Sequence, residues 1–257
     1  MLNVFCTLWG DKYDISYVDK LYSMVERNCD ESFQFFCQTD KKGFRSEVIT
    51  LPFLTEFPRS TPKEMEEEKT YKHGKARLWD RPKLNYWIPN GWGISGRKIA
   101  FDIDIIIQNN LQPILDLFEN KPLTMRSWWH NMEHESWPDW RRRYGARNNG
   151  GFFMWTDEQV IEIYEDVRDN WNKIYFCFTG GSDNYLSTRH LDKFDFIPPD
   201  YTYSFNRGCE YPHDLKMWEE RKEKIICVFN TDVGNNTHLE LHEAAEAFEW
   251  IKNHWYC

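Results

Sequence analysis

The chain opens on a short apolar run, Asn3 to Leu8, that predicts a strand. Apolar side chains then recur at Ile15, Val18, Leu21, Tyr22 and Val25, the spacing of one helical face, and Asp14 stands where an N-cap would accept a backbone N–H. Further strands are predicted at Ser32 to Cys37 and at Glu47 to Leu51, the latter stopped by Pro52. Thr61-Pro62 with Glu64 three residues after the threonine resembles a capping box, and the charged run Glu66 to Lys69 predicts an exposed helix over 61–75.

The strongest strand pattern is Arg97 to Gln108, where Ile99, Ala100, Phe101, Ile103, Ile105, Ile106 and Ile107 are apolar on both faces, as a central strand requires. A short helix over Gln112 to Phe118 follows, then an irregular Trp-rich stretch from Met125 to Tyr144. Gly151 to Trp155 returns as a strand. Thr156 to Gln159 opens a helix whose inward positions are Val160, Ile163, Tyr164, Val167 and Trp171. A strand at Lys224 to Phe229 and a last amphipathic helix over His242 to His254, with Leu241, Ala245, Phe248, Ile251 and Trp255 on one face, complete the reading.

Strands alternating with helices predict an α/β fold with a mostly parallel sheet, and such sheets take ligands at the carboxyl ends of their strands. With 257 residues, no repeat and no linker, residues 1–257 are expected to form a single domain. Aromatic residues, 17% of the chain, supply much of the area to be buried.

The net charge of −9 weighs against a large electrostatic grip on nucleic acid. Arg141-Arg142-Arg143 with Arg147 is the dense positive cluster, either a solvated face or an anion-facing edge of the substrate site. Seven cysteines without a Cys-x-x-Cys pair indicate reduced thiols rather than a disulfide framework or a zinc ribbon. No window reaches the roughly 18 apolar residues of a membrane span, and the first residues lack a basic and apolar leader, so a cytoplasmic location is expected.

Asp102 and Asp104 are the residues whose placement asks for chemistry. Two apart in a strand, both carboxylates leave one face and can share a cation. Within apolar surroundings their desolvation and repulsion would be costly without compensation, so the pair should lie at the exposed end of the strand. Oxygen ligands suit a hard ion, Mn²⁺ or Mg²⁺, and such an ion suits a diphosphate leaving group.

Several segments in order resemble the GT-A glycosyltransferases related to family 8, which include glycogenin-type enzymes and many bacterial and phage sugar transferases. Cys6-Thr7-Leu8 through Trp9 and Tyr13 is similar to the first strand and loop, which cradle the uridine; Lys83-Leu84-Asn85 resembles the Thr-Lys-Leu segment, whose Lys faces the sugar nucleotide. Gly96 to Asp104, with Ile103 between the aspartates, resembles the strand ending in the metal motif. Asn149-Gly150-Gly151 is similar to the Asn-Ser-Gly strand, whose Asn contacts the donor sugar; Gly181-Ser182-Asp183 sits at the Asp-Gln-Asp position, and Asn230 at that of the third metal ligand, a His.

The resemblance spans Cys6 to Asn230. It implies a GT-A fold, Rossmann-like with a mixed, mostly parallel sheet flanked by helices, and transfer of a hexose or pentose from a nucleotide-diphosphate donor, of the UDP-sugar kind, with Mn²⁺ or Mg²⁺ as cofactor. The metal ligands it implies are Asp102, Asp104 and Asn230; the donor would meet Thr7, Leu8, Trp9, Tyr13, Arg77, Lys83, Ile103, Asn149 and Gly151. Asp183 is the candidate general base for an inverting reaction, with a helix-capping role as its plain alternative; the resemblance leans towards retention, in which an oxygen of the departing diphosphate would accept the acceptor's proton. The chain departs from the family at Asn230, at Gly181-Ser182, and at Asn236 or Thr237, where the family carries a phosphate-binding Lys; Lys83, Arg77 and Arg97 then remain as phosphate partners.

Rival patterns carry less. His130/His134 and His238/His242 have zinc-hydrolase spacing but no His-Glu-x-x-His and no third ligand. Gly91-x-Gly93-x-x-Gly96 leads into a strand instead of opening a helix, so it is a loop rather than a dinucleotide fingerprint. Trp128, Trp129, Trp137 and Trp140 form either core or a stacking platform for an acceptor. Two alternatives to a sugar-to-glycan transferase stay open: a non-catalytic sugar- or nucleotide-binding protein of the same fold, and a phage transferase acting on a modified DNA base.

Overall fold

The computed structural model describes residues 1–56, 81–127, 147–178, 181–206, 221–231 and 238–256. The expected helix over 61–75, Arg77, the four tryptophans of 128–140, Arg141 to Arg143, the pair His130/His134, and Asn236 and Thr237 lie outside the described residues.

The first strand, β1 (Leu2–Leu8), is covered on both faces: Leu2, Val4, Cys6 and Leu8 make one face wholly apolar, and Asn3, Phe5 and Thr7 lie on the other. It pairs in parallel with β2 (Phe33–Thr39) and β4 (Lys98–Phe101), and β2 pairs in parallel with β3 (Val48–Leu51). On the far side of β4 lie β7 (Asn148–Trp155), antiparallel to β4, then β6 (Leu123–Arg126) and the short β8 (Asp195–Phe196). Among the described residues the sheet order is thus β3-β2-β1-β4-β7-β6-β8. A smaller sheet sets β10 (Ile226–Val228) between β5 (Ile105–Ile107), antiparallel to it, and β9 (Thr202–Ser204).

Helix α1 (Ile15–Asn28) begins as its sequence predicts, with Asp14 Oδ1 accepting from Ser16 N at 2.8 Å and Val18, Leu21, Tyr22 and Val25 buried. Val4, Cys6 and Leu8 of β1 join that face, in one core with the small sheet and the helices α4 (Leu241–Ala247) and α5 (Glu249–Trp255). Phe5 turns to the opposite core, where Tyr86, Trp87 and Trp155 meet the buried side of α2 (Ile161–Cys177) and Tyr185 of α3 (Ser182–Arg189).

Three expectations are corrected. The run Arg97 to Gln108 is two strands in two sheets, because the chain turns at Asp102-Ile103-Asp104. Holding two carboxylates inside a ladder buried on both faces would strip them of water, and the turn lifts them to the rim. They therefore leave a turn, not one face of a strand. The last helix is likewise two helices, broken at Phe248, where the backbone is extended at φ −127° and ψ 114°.

Met125, expected to open an irregular stretch, is instead the third residue of β6. Its alternation is too short to stand out, and pairing with β7 rather than local pattern makes it a strand.

Candidate active site

β1 and β4 run in parallel, and β7 runs against them, so the carboxyl ends of the first two and the start of the third share one edge. The chain moves outward from β1 to β2 on one side and to β4 on the other, which makes this edge a topological switch point. Asp102 N donates to Gly151 O at 3.0 Å and closes the ladder there, which sets the aspartate turn against Asn149-Gly150-Gly151.

Lys83 is the third residue of a short helical turn at Arg81–Leu84, and its ammonium ion-pairs with Asp102 Oδ1 and also donates to Gly150 O at 3.4 Å. Both partners are mostly but not wholly covered, with side chains 21% and 29% exposed, so the charge pair still borders solvent. Asp183 comes from the first turn of α3, whose N-cap Gly181 takes φ 82°, a conformation that favours glycine. Its carboxylate lies over Gly150, and a Cβ on that glycine would meet Asp183 Oδ1 at 2.7 Å. Asp183 is thus seated against the same backbone that Lys83 touches.

Two asparagines shape the floor. Asn149 Oδ1 accepts from Gly151 N at 2.7 Å, while Asn149 Nδ2 donates to Asn230 Oδ1 at 2.8 Å. Asn230 in turn donates to Ser204 Oγ at 3.1 Å. Its φ of 49° is left-handed, which Asn tolerates better than most residues, and the turn after β10 uses it to bring the amide back towards β7.

On the first loop, the Tyr13 hydroxyl donates to Asp104 Oδ2 at 2.9 Å and faces Glu240 Oε2 at 3.3 Å. Burial, together with these two carboxylates, pushes its phenol far above the ordinary range, so it stays a donor. Thr7 Oγ1 is 2.5 Å from the Tyr86 hydroxyl and 3.3 Å from Gln38 Oε1. Leu8 and Ile103 spend their side chains in the core, so what they can offer a ligand is backbone. Trp9 is half-buried on the loop.

Of the residues expected at the site, Asp102, Lys83, Asn149, Gly151, Asp183 and Asn230 form one connected group, and Asp104 with Tyr13 adjoins it through the turn. Arg77 lies outside the described residues. Arg97 pairs with Glu31 instead, next to the amino end of β4. Sequence reasoning missed Tyr86, Gly150 as a seat for Asp183, and Glu240. A Glu240/Glu243 capping pattern is legible in the sequence, but not its approach to Tyr13.

Chains of this shape are known. The galactosyltransferase LgtC, solved in complex with donor and acceptor sugar analogs, superposes with a TM-score of 0.56 at 13% identity, over 98% of this chain and 96% of that one. The fold is that of the GT-A glycosyltransferases. The glycosyltransferase GlyE of Streptococcus pneumoniae TIGR4 gives 0.55 at 11% identity, over 99% of this chain and 63% of that one. Mouse xyloside xylosyltransferase 1 gives 0.50 at 12%, over 93% and 98%. No protein-family model and no curated protein matches the sequence. The GT-A sheet is the one the motif resemblance implied, and no described helix is long and apolar enough to cross a membrane.

Proposed function

We propose that this chain transfers a sugar from a nucleoside-diphosphate donor, of the UDP-sugar kind, to an acceptor that enters beside Asp183. The observation that carries the reading is the meeting of Lys83, Asp102, Asn149, Gly150 and Asp183 at the switch point of a GT-A sheet. A cation, a carboxylate beside it, amide groups and a second carboxylate are the parts that a diphosphate-sugar substrate needs around it. Structures of the same fold include a galactosyltransferase and a xylosyltransferase, so hexose and pentose donors both belong in the test.

The donor set suits a hard divalent cation, Mn²⁺ or Mg²⁺. Asp102 and Asp104 are partly exposed carboxylates on one turn, and Asn230 brings an amide oxygen to Asn149 beside them. Among the described residues no group of three or more His, Cys, Asp and Glu gathers, so the set is two carboxylates and an amide. A cation held there would offset the charge of the departing diphosphate. The chain's own residues do the rest. The Lys83 ammonium offers a second positive charge to the diphosphate, Asn149 and the Gly151 backbone orient the sugar, and the loop from Trp9 to Tyr13 receives the nucleotide. If configuration inverts, Asp183 takes the acceptor's proton; its seat on Gly150 limits how it can turn.

A binding protein of this fold without turnover is the second reading. The observation that favours it is that Asn230, at the third ligand position, has its amide oxygen taken by Asn149 and its amide nitrogen by Ser204. A phage transferase acting on a modified DNA base differs only in the acceptor.

Hydrolysis of a panel of sugar nucleotides with Mn²⁺, with Mg²⁺ and with chelator, for wild type, Asp102→Asn and Asp104→Asn, decides between transfer and binding without turnover. Metal-dependent turnover of one donor, lost in both variants, is the expected result. Calorimetric binding without turnover would establish the binding protein instead.

A further inference from the structure

The Tyr13 hydroxyl carries one proton and faces two carboxylates, Asp104 at 2.9 Å and Glu240 at 3.3 Å. One O–H cannot serve both at full strength, so the nearer, Asp104, holds most of it. Asp104 is also the carboxylate proposed to take a cation, and a carboxylate whose charge is drawn to a cation accepts hydrogen bonds less well. Without a second acceptor, Tyr13 would lose its anchor when the donor arrives.

Glu240 is built to be that acceptor. It is the N-cap of α4, its side chain accepting from the backbone of Glu243 while the Glu243 side chain accepts from Glu240 N at 2.8 Å. Lys12 Nζ lies 3.1 Å from Glu240 Oε1. The helix behind it is fixed to the core by buried Leu241, Ala244 and Ala245. The same two segments are tied again by Tyr17, whose hydroxyl lies 2.9 Å from His242 Nδ1. Glu240 is therefore held in place independently of Tyr13.

We propose that Glu240 is a positioning residue of the donor site, taking over the Tyr13 hydroxyl when Asp104 turns to a cation, so that the nucleotide-facing loop keeps its place. This rests on the reading that Asp102 and Asp104 hold a divalent ion and that the Trp9 to Tyr13 loop receives the nucleotide. The contact with Lys12, whose side chain is 51% exposed, adds little by itself.

The test separates positioning from capping. Asp caps helices as well as Glu or better but is one methylene shorter, so Glu240→Asp keeps the cap and loses the reach to Tyr13. UDP binding in saturating Mn²⁺, by calorimetry, and Mn²⁺ binding alone, by electron paramagnetic resonance, would be measured for wild type, Glu240→Asp, Tyr13→Phe and the double variant. The expectation is that Glu240→Asp weakens UDP binding by about tenfold, and by less than about twofold when Tyr13 is already Phe. Wild-type affinity in Glu240→Asp, or an equal loss in both backgrounds, overturns the proposal. Wild type that binds Mn²⁺ and UDP leaves the donor site standing in either case, whereas wild type that binds neither removes the donor site and this role together.

Discussion

Gly150 and Asp183 are packed so closely that a methyl group at position 150 would stand 2.7 Å from Asp183 Oδ1. That is inside van der Waals contact, and the atom met is the far end of a side chain, which turns more readily than the β7 backbone moves. The carboxylate must give way. Gly150→Ala should therefore leave the fold intact while lowering turnover by about tenfold or more, since small displacements of a reacting group are costly. Steady-state kinetics beside a melting curve checks this, and unchanged kcat would take Asp183 out of the chemistry.

Lys83 and Asp102 neutralise each other at the edge of the sheet. Lys83→Met should weaken donor binding, read as the calorimetric Kd, by about tenfold, and the same change in an Asp102→Asn background should do less, because the two groups act as a unit. Additive losses in that double-mutant cycle would mean that Lys83 serves the donor without help from Asp102.

Far from the site, Lys98 is 3% exposed at the start of β4 and ion-pairs with Asp157, just before α2. Asp157→Asn leaves a buried ammonium without its counter-charge, at a cost of about 3–5 kcal/mol. Thermal unfolding should show a lower Tm, and Lys98→Met added to Asp157→Asn should recover part of it. A Tm unchanged by Asp157→Asn would show that the ammonium finds water or another acceptor.

α3, which carries Asp183, is held to α2 by a buried group around Asp166. Arg189 Nε and Nη2 each donate to Asp166 at 2.6 Å, the Tyr185 hydroxyl donates at 2.8 Å, and His190 Nε2 is 3.0 Å away. Burial would raise the Asp166 carboxyl, but hydrogen bonds from Arg189, Tyr185 and His190 outweigh it and hold the group well below the usual carboxylate range. Burial pushes the His190 ring below its ordinary value, against the pull of Asp166. Both folded values are depressed, so both groups contribute stability that is present above their unfolded values and lost as pH falls through the folded ones. The loss should begin below about pH 6.5, where the unfolded His190 takes a proton first, and deepen below about pH 3.9 through Asp166. Urea midpoints across that range should fall less steeply for His190→Asn; an identical slope would remove His190 from the account.

Ser187 gives the same helix a second tie, accepting from Arg147 N at 2.6 Å and Asn148 N at 3.2 Å. Asp183 thus owes its place to residues on α2, α3 and β7. None of these contacts has a local signature in the sequence.

What could be read from the sequence were features set by short-range physics. The strands β1, β2, β3, β4, β7 and β10, the helix α1 with its Asp14 cap, and the helix behind Thr156 follow from apolar periodicity and capping chemistry, which neighbouring residues decide. The order of motifs likewise implied the GT-A sheet that the structure has, with Asp102 at the exposed end of β4. Tertiary structure alone split the run from Arg97 to Gln108 between two sheets, because the cost of burying Asp102 and Asp104 depends on what covers the strand. It alone seated Asp183 on Gly150, passed Asn149 to Asn230, and brought Glu240 to Tyr13 across 227 positions of sequence. Contacts of that range exist only after loop closure has been offset by the two buried cores, and no local pattern of residues encodes them.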